Sequence, residues 1–224
     1  MKIRPPRRVQ RYAWTTLASL LAVLAMGSWM VQEHYPGPAD LLAWHRASSA
    51  LEIWRIWTSA GLHWSPWHLA ANLLGCLVLA AWGRACDLGI RPTVAWLLAW
   101  PLTQASLWLT SDIHHYGGLS GVLHAGVAIG AAQLLTRPHR AERALGLWVL
   151  LGLCIKLLSE TPILAPAELG AGEAVPLPGA PGYSVAYQVH WAGSLTGLLC
   201  TALVQPLGRR RSVAVPAPHG VISS

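Results

Sequence analysis

Six apolar runs of about 15–20 residues, each with few charges, constrain the fold of this chain more than any other feature. A helix needs about 20 apolar residues to cross a bilayer core of about 30 Å, so such runs are typical of transmembrane helices. Only 11% of the residues are charged, against about 25% in soluble domains, which argues against a soluble globule. The runs are 14–31, 67–82, 93–109, 119–135, 144–158 and 187–207. We therefore expect an all-α, polytopic membrane protein with six transmembrane helices, of which the fifth, short and containing Lys156, has the weakest signal.

The net charge of +7 would suit nucleic acid binding, but the positions of the charges argue otherwise. If the N-terminus is cytoplasmic, nearly all Lys and Arg residues fall on the cytoplasmic side: Lys2, Arg4, Arg7, Arg8, Arg11, Arg84, Arg91, Arg137, Arg140, Arg143 and Arg209 to Arg211. The outer side holds Arg46 and Arg55 together with the acidic residues Glu33, Asp40, Glu52, Asp112, Glu160, Glu168 and Glu173. This asymmetry follows the positive-inside rule, so we expect both termini in the cytoplasm and no nucleic acid partner.

The runs divide the chain into a basic cytoplasmic N-terminus (1–13), a six-helix domain (14–207) and a basic, then disordered, tail (208–224). The first run lacks a convincing small-residue cleavage site, so we expect it to be retained and not removed as a signal peptide. Two outer loops are long, 32–66 and 159–186. The first is rich in Trp and should lie partly in the membrane interface. The second is rich in Pro and Gly and should lack regular structure, as a tether or as a flexible cap over a site.

Four polar side chains lie at one depth near the outer face of the predicted bundle. His68 and Asn72 fall in the first turns of helix 2, Ser120 in the first turn of helix 4 and His190 in the first turn of helix 6. Polar groups at membrane depth are costly and usually functional, so this coincidence predicts a site. Small residues permit close approach of transmembrane helices, and glycines follow His190 and flank Ser120. We therefore expect the Ser120 hydroxyl and the His190 imidazole to meet.

A serine beside a histidine favours nucleophilic catalysis, because the imidazole takes the hydroxyl proton as the oxygen attacks. The oxyanion formed on a carbonyl would need donors, and the Asn72 amide, the His68 ring and the Ser120 backbone N–H are candidates. The sequence reveals no acidic residue placed to orient His190. It therefore predicts a Ser-His dyad and not a triad.

Several motifs resemble those of the rhomboid family of intramembrane serine proteases, in the expected order over residues 50–200. Residues 118–121 (Gly-Leu-Ser-Gly) resemble the GxSG motif, and residues 190–197 resemble the HxxGxxxG helix. His63, His68 and Asn72 reproduce the HxxxxHxxxN pattern, and residues 52–58 resemble the WR element of the first loop. The resemblance implies that Ser120 is the nucleophile, that His190 is the base and acid, and that His68 and Asn72 stabilise the oxyanion. It also implies a structural role for Trp54 and Arg55.

One position departs from the family pattern. Many rhomboids have a Tyr four residues after the nucleophile, packed on the catalytic His, where this chain has His124. The stretch 116–124 (Tyr-Gly-Gly-Leu-Ser-Gly-Val-Leu-His) resembles the bacterial rhombosortases. That resemblance implies a bacterial inner-membrane enzyme with its active site open to the periplasmic side. It also implies membrane-anchored protein substrates with a C-terminal Gly-Gly, a transmembrane segment and a basic end.

Other functions and sites receive less support from the sequence. A transporter would need polar residues across the whole membrane, whereas these cluster at one leaflet. A non-catalytic rhomboid-like protein that binds transmembrane helices is disfavoured by the presence of both Ser120 and His190. His114 and His115 have no evident carboxylate or Cys partner, so we expect no metal and no cofactor. His63 and His124 are expected to be structural.

Overall fold

The computed structural model describes residues 7–35, 37–47, 50–109, 113–161, 176–177, 180–184 and 187–204. This part of the chain is all-α, with six helices of 16 residues or more. They are α1 (Arg7–His34), α4 (Pro66–Ala85), α5 (Ile90–Ala105), α6 (Ser120–Leu135), α7 (Arg140–Glu160) and α8 (Tyr187–Val204). Two short helices, α2 (Pro38–Leu42) and α3 (Arg55–Thr58), lie between α1 and α4. Each apolar run thus corresponds to one helix, although the last three residues of the sixth run lie outside the described residues.

The number of membrane spans stays a prediction. Among the described residues, two helical segments, Tyr12–His34 and Pro66–Ala85, are both long and apolar enough to cross a membrane by themselves. The 16 residues of α6 extend over about 24 Å at 1.5 Å per residue, which is less than the about 30 Å of a bilayer core. Helix α7 has sufficient length but also charged residues at both ends.

Tryptophan side chains join neighbouring helices by donating to backbone carbonyls. Trp14 Nε1 on α1 donates to Leu79 O on α4 at 2.8 Å, and Trp96 Nε1 on α5 donates to Val122 O on α6 at 2.7 Å. Trp14 and Trp96 are fully buried and their rings lie 4.4 Å apart between centroids. A buried indole N–H needs an acceptor, so these bonds fix the helices as well as filling the core.

The first outer loop is attached to the segment that precedes α6. Strand β1 (Trp44–His45) pairs antiparallel with β2 (His115–Tyr116). Trp44 is fully buried and packs with Leu107, Tyr116 and Val189. The expectation that this loop lies partly in the membrane interface stays a prediction, but Trp44 does not contribute to it, because the strand pairing turns its ring into the protein.

Arg55 holds the same loop together, in the structural role that its motif implies. Its side chain is buried, with Nη1 donating to Asp40 O at 2.5 Å and to Ala43 O at 2.6 Å. Its Nε forms an ion pair with Glu52 at 2.6 Å. Trp54 remains about half exposed and donates to Leu41 O at 3.4 Å. The guanidinium therefore satisfies carbonyl groups of the loop that would otherwise be buried without donors.

Helix α4, which carries His68 and Asn72, begins at Pro66 with a side-chain cap. Ser65 Oγ accepts a hydrogen bond from His68 N at 3.1 Å, and Pro66 occupies the first helical position. Such a cap satisfies one of the free N–H groups at a helix start and defines the first turn. The first turns of α4 therefore have a fixed register.

The last outer loop contains some regular structure, contrary to expectation. Strands β3 (Pro176–Leu177) and β4 (Ala180–Ser184) pair antiparallel. Proline is tolerated in such a two-stranded ribbon because an edge position does not require every N–H to be paired. Residues 162–175, 178–179 and 185–186 lie outside the described residues, as do 1–6 and the tail from 205, so the predicted cap and cytoplasmic ends stay predictions.

Candidate active site

Ser120 and His190 meet at the start of two helices. Ser120 is the first residue of α6 and His190 lies in the first turn of α8. The distance from His190 Nε2 to Ser120 Oγ is 2.9 Å, and the His190 side chain is 8% exposed. Hydrogen-bond contact between a hydroxyl and an imidazole is the geometry required for general-base activation of a serine. The predicted proximity of these two side chains is confirmed.

Glycines bring the two helix backbones together at this point. A Cβ atom on Gly193 would overlap Gly121 O, and one on Gly197 would lie 2.7 Å from Ala125 O. Neither position can therefore accept a side chain without separating α6 from α8. Because residues 190, 193 and 197 lie on one face of α8, this close approach also directs His190 at α6. The predicted glycine-lined contact is confirmed.

His124 stacks on the ring of His190. The two imidazoles lie 4.1 Å apart between centroids with an angle of 14° between their planes. His124 Nδ1 lies 2.7 Å from Ser120 O, and because a carbonyl only accepts, Nδ1 carries the proton. His124 thus makes the packing contact with His190 that the family pattern assigns to Tyr. It limits the rotation of the proposed base.

An acidic side chain contacts the other nitrogen of His190, which contradicts the expectation from sequence. Glu160 Oε2 lies 2.7 Å from His190 Nδ1. The remaining carboxylate oxygen, Oε1, accepts from Lys156 Nζ at 2.6 Å. Glu160 is the last residue of α7 and its side chain is 24% exposed. Sequence reasoning missed it because it is 30 residues from His190 on a different helix, although its position at the outer end of a predicted helix was a usable signal.

Of the two predicted oxyanion residues, His68 lies beside the loop that leads into Ser120. A Cβ on Gly118 would lie 3.0 Å from His68 Cε1, so the imidazole rests directly on this loop. Asn72 is buried, and its Nδ2 donates to His68 O at 3.1 Å. An amide nitrogen has two N–H groups, and this bond uses one of them. His68 is therefore near the Ser120 loop, whereas the visible bond of Asn72 goes to the backbone of its own helix.

Tyr116 is a second side chain that sequence reasoning did not select. Its hydroxyl donates to Gly118 O at 3.0 Å, two residues before Ser120. Burial raises the pKa of Tyr116 to about 12, although hydrogen bonding with the Ser120 side chain and the Gly121 backbone acts in the opposite direction. The phenol therefore stays protonated at physiological pH and supports the loop as a donor. The only sequence signal was its place in the motif before the serine.

His63 has the structural role that its position predicts. It is almost completely buried, and its Nδ1 lies 3.0 Å from Gly61 O. Its backbone N and O both bond to the Gln32 side chain of α1, at 3.2 and 3.1 Å. Burial, reinforced by the nearby His68, lowers the pKa of His63 to about 4, so the ring is neutral. His63 thus fixes the turn before α4.

Two clusters in the described residues bring three possible metal-ligating atoms within 4.8 Å of one another: Asp40, His45 and His115; and His124, Glu160 and His190. The first contradicts the expectation that His115 lacks a carboxylate neighbour. However, the His45 and His115 rings are stacked 4.3 Å apart at 18°, so their lone pairs do not converge on one point. In the second, His190 Nδ1 and Glu160 Oε2 already lie at hydrogen-bond distance from each other, 2.7 Å. We assign neither cluster to a metal.

Comparison with protein families agrees with the fold and the motifs. The rhomboid domain matches residues 50–207, which includes α4 to α8 and the second half of the first outer loop. No curated protein matches the chain significantly. A match over more than half of the chain places this protein in the rhomboid family. It is therefore an integral membrane protein of a family whose members are generally intramembrane serine proteases acting on membrane-protein substrates within the bilayer.

Proposed function

We propose that this protein is an intramembrane serine endopeptidase with Ser120 as nucleophile and His190 as general base and acid. The observation that carries the proposal is the 2.9 Å contact between Ser120 Oγ and His190 Nε2 in a buried site. As Oγ attacks the carbonyl carbon of the scissile bond, its proton moves to Nε2. The imidazolium then protonates the leaving amine, and the C–N bond breaks to leave an acyl-enzyme. Water attacks this ester, again losing a proton to Nε2, and the proton returns to Ser120 as the acid product leaves.

The oxyanion formed in each step requires donors already in place. The Ser120 N–H is one, because the first N–H groups of a helix have no acceptor within the helix. The His68 imidazole and the Asn72 amide are proposed as the others. The His68 ring rests on Gly118, two residues before the nucleophile. The positive end of the α6 dipole adds to the stabilisation.

The proposed substrates are membrane-anchored proteins cleaved at or near a transmembrane segment. The stretch 116–124 resembles the rhombosortases, and on this basis we propose C-terminal Gly-Gly tails of exported proteins as the specific class. The same resemblance and the charge asymmetry support a bacterial inner-membrane location. In this arrangement both termini are cytoplasmic, six helices cross the bilayer and the active site opens to the outer side.

Labelling with a fluorophosphonate probe tests the nucleophile without knowledge of the substrate. The detergent-solubilised wild type should be labelled, because Ser120 Oγ displaces fluoride from phosphorus while His190 accepts the proton. Ser120→Ala should abolish labelling and His190→Ala should reduce it to background. Labelling that survives Ser120→Ala would refute the assignment. Folded but unlabelled wild-type protein would favour a non-catalytic rhomboid-like protein.

The substrate class needs a separate experiment. Two reporters with the same transmembrane segment and basic end, one with Gly-Gly before the segment and one with Ala-Ala, should be incubated with the enzyme. Cleavage near the glycines of the first reporter alone is expected. Equal cleavage of both would make this protein a general rhomboid protease and leave the catalytic assignment intact.

A further inference from the structure

We propose that Glu160 is a positioning residue for His190, so that the site works as a Ser120–His190–Glu160 triad and not as a dyad. This inference rests on the proposed function, since it concerns how the base is oriented. Its first support is geometric. The contacts from Ser120 Oγ to His190 Nε2 at 2.9 Å and from His190 Nδ1 to Glu160 Oε2 at 2.7 Å use both nitrogens of one ring.

The carboxylate selects the useful tautomer of the base. An ionised carboxylate only accepts hydrogen bonds, so His190 Nδ1 must carry the proton in this contact. The lone pair is then on Nε2, which faces the hydroxyl proton of Ser120. The opposite tautomer would place a proton between Nε2 and the serine and block transfer. When Nε2 becomes protonated, the adjacent negative charge stabilises the imidazolium.

The position of Glu160 is determined from both sides. Lys156, one turn earlier on α7, binds the second carboxylate oxygen at 2.6 Å and provides a cation that favours the ionised form. Thr161, the next residue, accepts from Trp191 Nε1 at 3.1 Å and donates to Leu157 O at 2.8 Å. Residues 160 and 161 thus contact residues 190 and 191 respectively. The end of α7 is therefore attached to the first turn of α8 at two adjacent points.

The other groups around His190 do not perform this task. Ser120 and His124 face it from α6, as the attacking group and as the stacked ring. His68 approaches from α4 and rests against Gly118. Helix α5 contacts α8 further along, through the uncharged Thr103, whose hydroxyl bonds to Thr196 at 2.9 Å. Within the described residues, Glu160 is thus the acidic group in contact with the proposed base.

The decisive variant is Glu160→Gln. The Gln amide can still form a hydrogen bond with His190, so a contact with only a structural role would be preserved. The negative charge is lost, however, and an amide N–H that faces Nδ1 would select the tautomer with its proton on Nε2. We expect kcat to fall by about 10- to 100-fold with little change in KM. This decrease in kcat is smaller than that expected for a fully buried triad acid, because Glu160 is partly exposed and paired with Lys156. The rising limb of the pH profile should move to lower pH, because the imidazolium loses a stabilising anion. Glu142→Gln, at the opposite end of α7, is the matched control and should behave as wild type.

The experiment uses full-length protein in detergent, with fluorophosphonate labelling rates and cleavage of the Gly-Gly reporter measured from pH 5 to 9. Glu160→Gln within twofold of wild type, with an unmoved pH profile, would overturn the triad. Loss of labelling in Ser120→Ala would then show that the proposed function still stands. If Glu160→Gln does not fold, Glu160→Asp provides the test: it keeps the charge and should retain the wild-type pH profile with a reduced kcat. An unchanged kcat in Glu160→Asp, whose carboxylate is one methylene too short, would also overturn the proposal.

Discussion

The two sides of the His190 ring are held by different kinds of contact. On the Ser120 side, α6 and α8 approach so closely that a Cβ on Gly193 would overlap Gly121 O. On the Glu160 side, two side-chain hydrogen bonds, of 2.7 and 3.1 Å, attach the end of α7 to α8. The backbone contact has no room for an added side-chain atom, whereas each side-chain hydrogen bond can be removed by a substitution that leaves the other in place. Substitutions that separate the two backbones on the first side should therefore be more damaging than substitutions that remove one hydrogen bond on the second.

The largest effect is expected for Gly193→Ala. The new methyl group overlaps the Gly121 carbonyl and must push α8 away from α6. A displacement of about 1 Å between reacting groups can cost about 100-fold in rate, so labelling should fall at least this far. Overpacking should also lower the free energy of unfolding by about 1–3 kcal/mol, as measured by thermal unfolding.

Gly152→Ala is the matched control for that substitution, because a Cβ there meets nothing within 4 Å. It should leave labelling unchanged and raise stability slightly, since Ala favours a helix more than Gly does. Equal loss of activity in both variants would show that the close approach of α6 and α8 has no special importance.

A smaller effect is expected for His124→Ala, which removes the ring stacked on His190. An aromatic pair contributes about 0.5–1.5 kcal/mol, which corresponds to about 2- to 12-fold in rate if the base must stay oriented. His124→Phe keeps a flat ring and should recover most of the activity. If Phe and Ala are equally impaired, the hydrogen bond from His124 to Ser120 O matters more than the stacking.

Tyr116→Phe should reduce kcat by about fivefold, which corresponds to the loss of one hydrogen bond of about 1 kcal/mol to Gly118 O.

The same substitution, Tyr116→Phe, should also change how the free energy of unfolding depends on pH. The pKa of Tyr116 is raised from 10.0 to about 12, so the unfolded chain ionises first and wild-type stability falls between these pH values. Below about pH 10 this residue contributes no pH dependence. Unfolding at pH 8 and pH 11 should therefore show a smaller alkaline loss in Tyr116→Phe than in wild type.

The smallest effect is expected on the Glu160 side for Trp191→Phe. This variant loses the bond to Thr161 Oγ1 but leaves the contact between Glu160 and His190. We expect a loss of about 1 kcal/mol in stability and about twofold in kcat. A loss as large as that of Gly193→Ala would mean that the two sides of the site are equally sensitive.

The sequence predicted the parts of this architecture that depend on local pattern. Apolar runs placed the six long helices. The depth of Ser120 and His190, combined with glycines spaced along one helix face, was enough to predict that these side chains meet. These inferences succeed because helical periodicity and small-residue contacts follow from residue spacing alone.

The tertiary structure decided which outer-face residues complete the site. The rotation of α7 about its axis determines that Glu160 faces His190, and no residue spacing reveals that rotation. Strand pairing between β1 and β2 likewise buries Trp44 and brings Asp40 and His45 to His115. Spacing within one helix determines which residues share a face, but the orientation of one element towards another depends on the packing of the whole molecule. For that reason the serine and histidine were evident from the sequence, whereas the glutamate beside them was not.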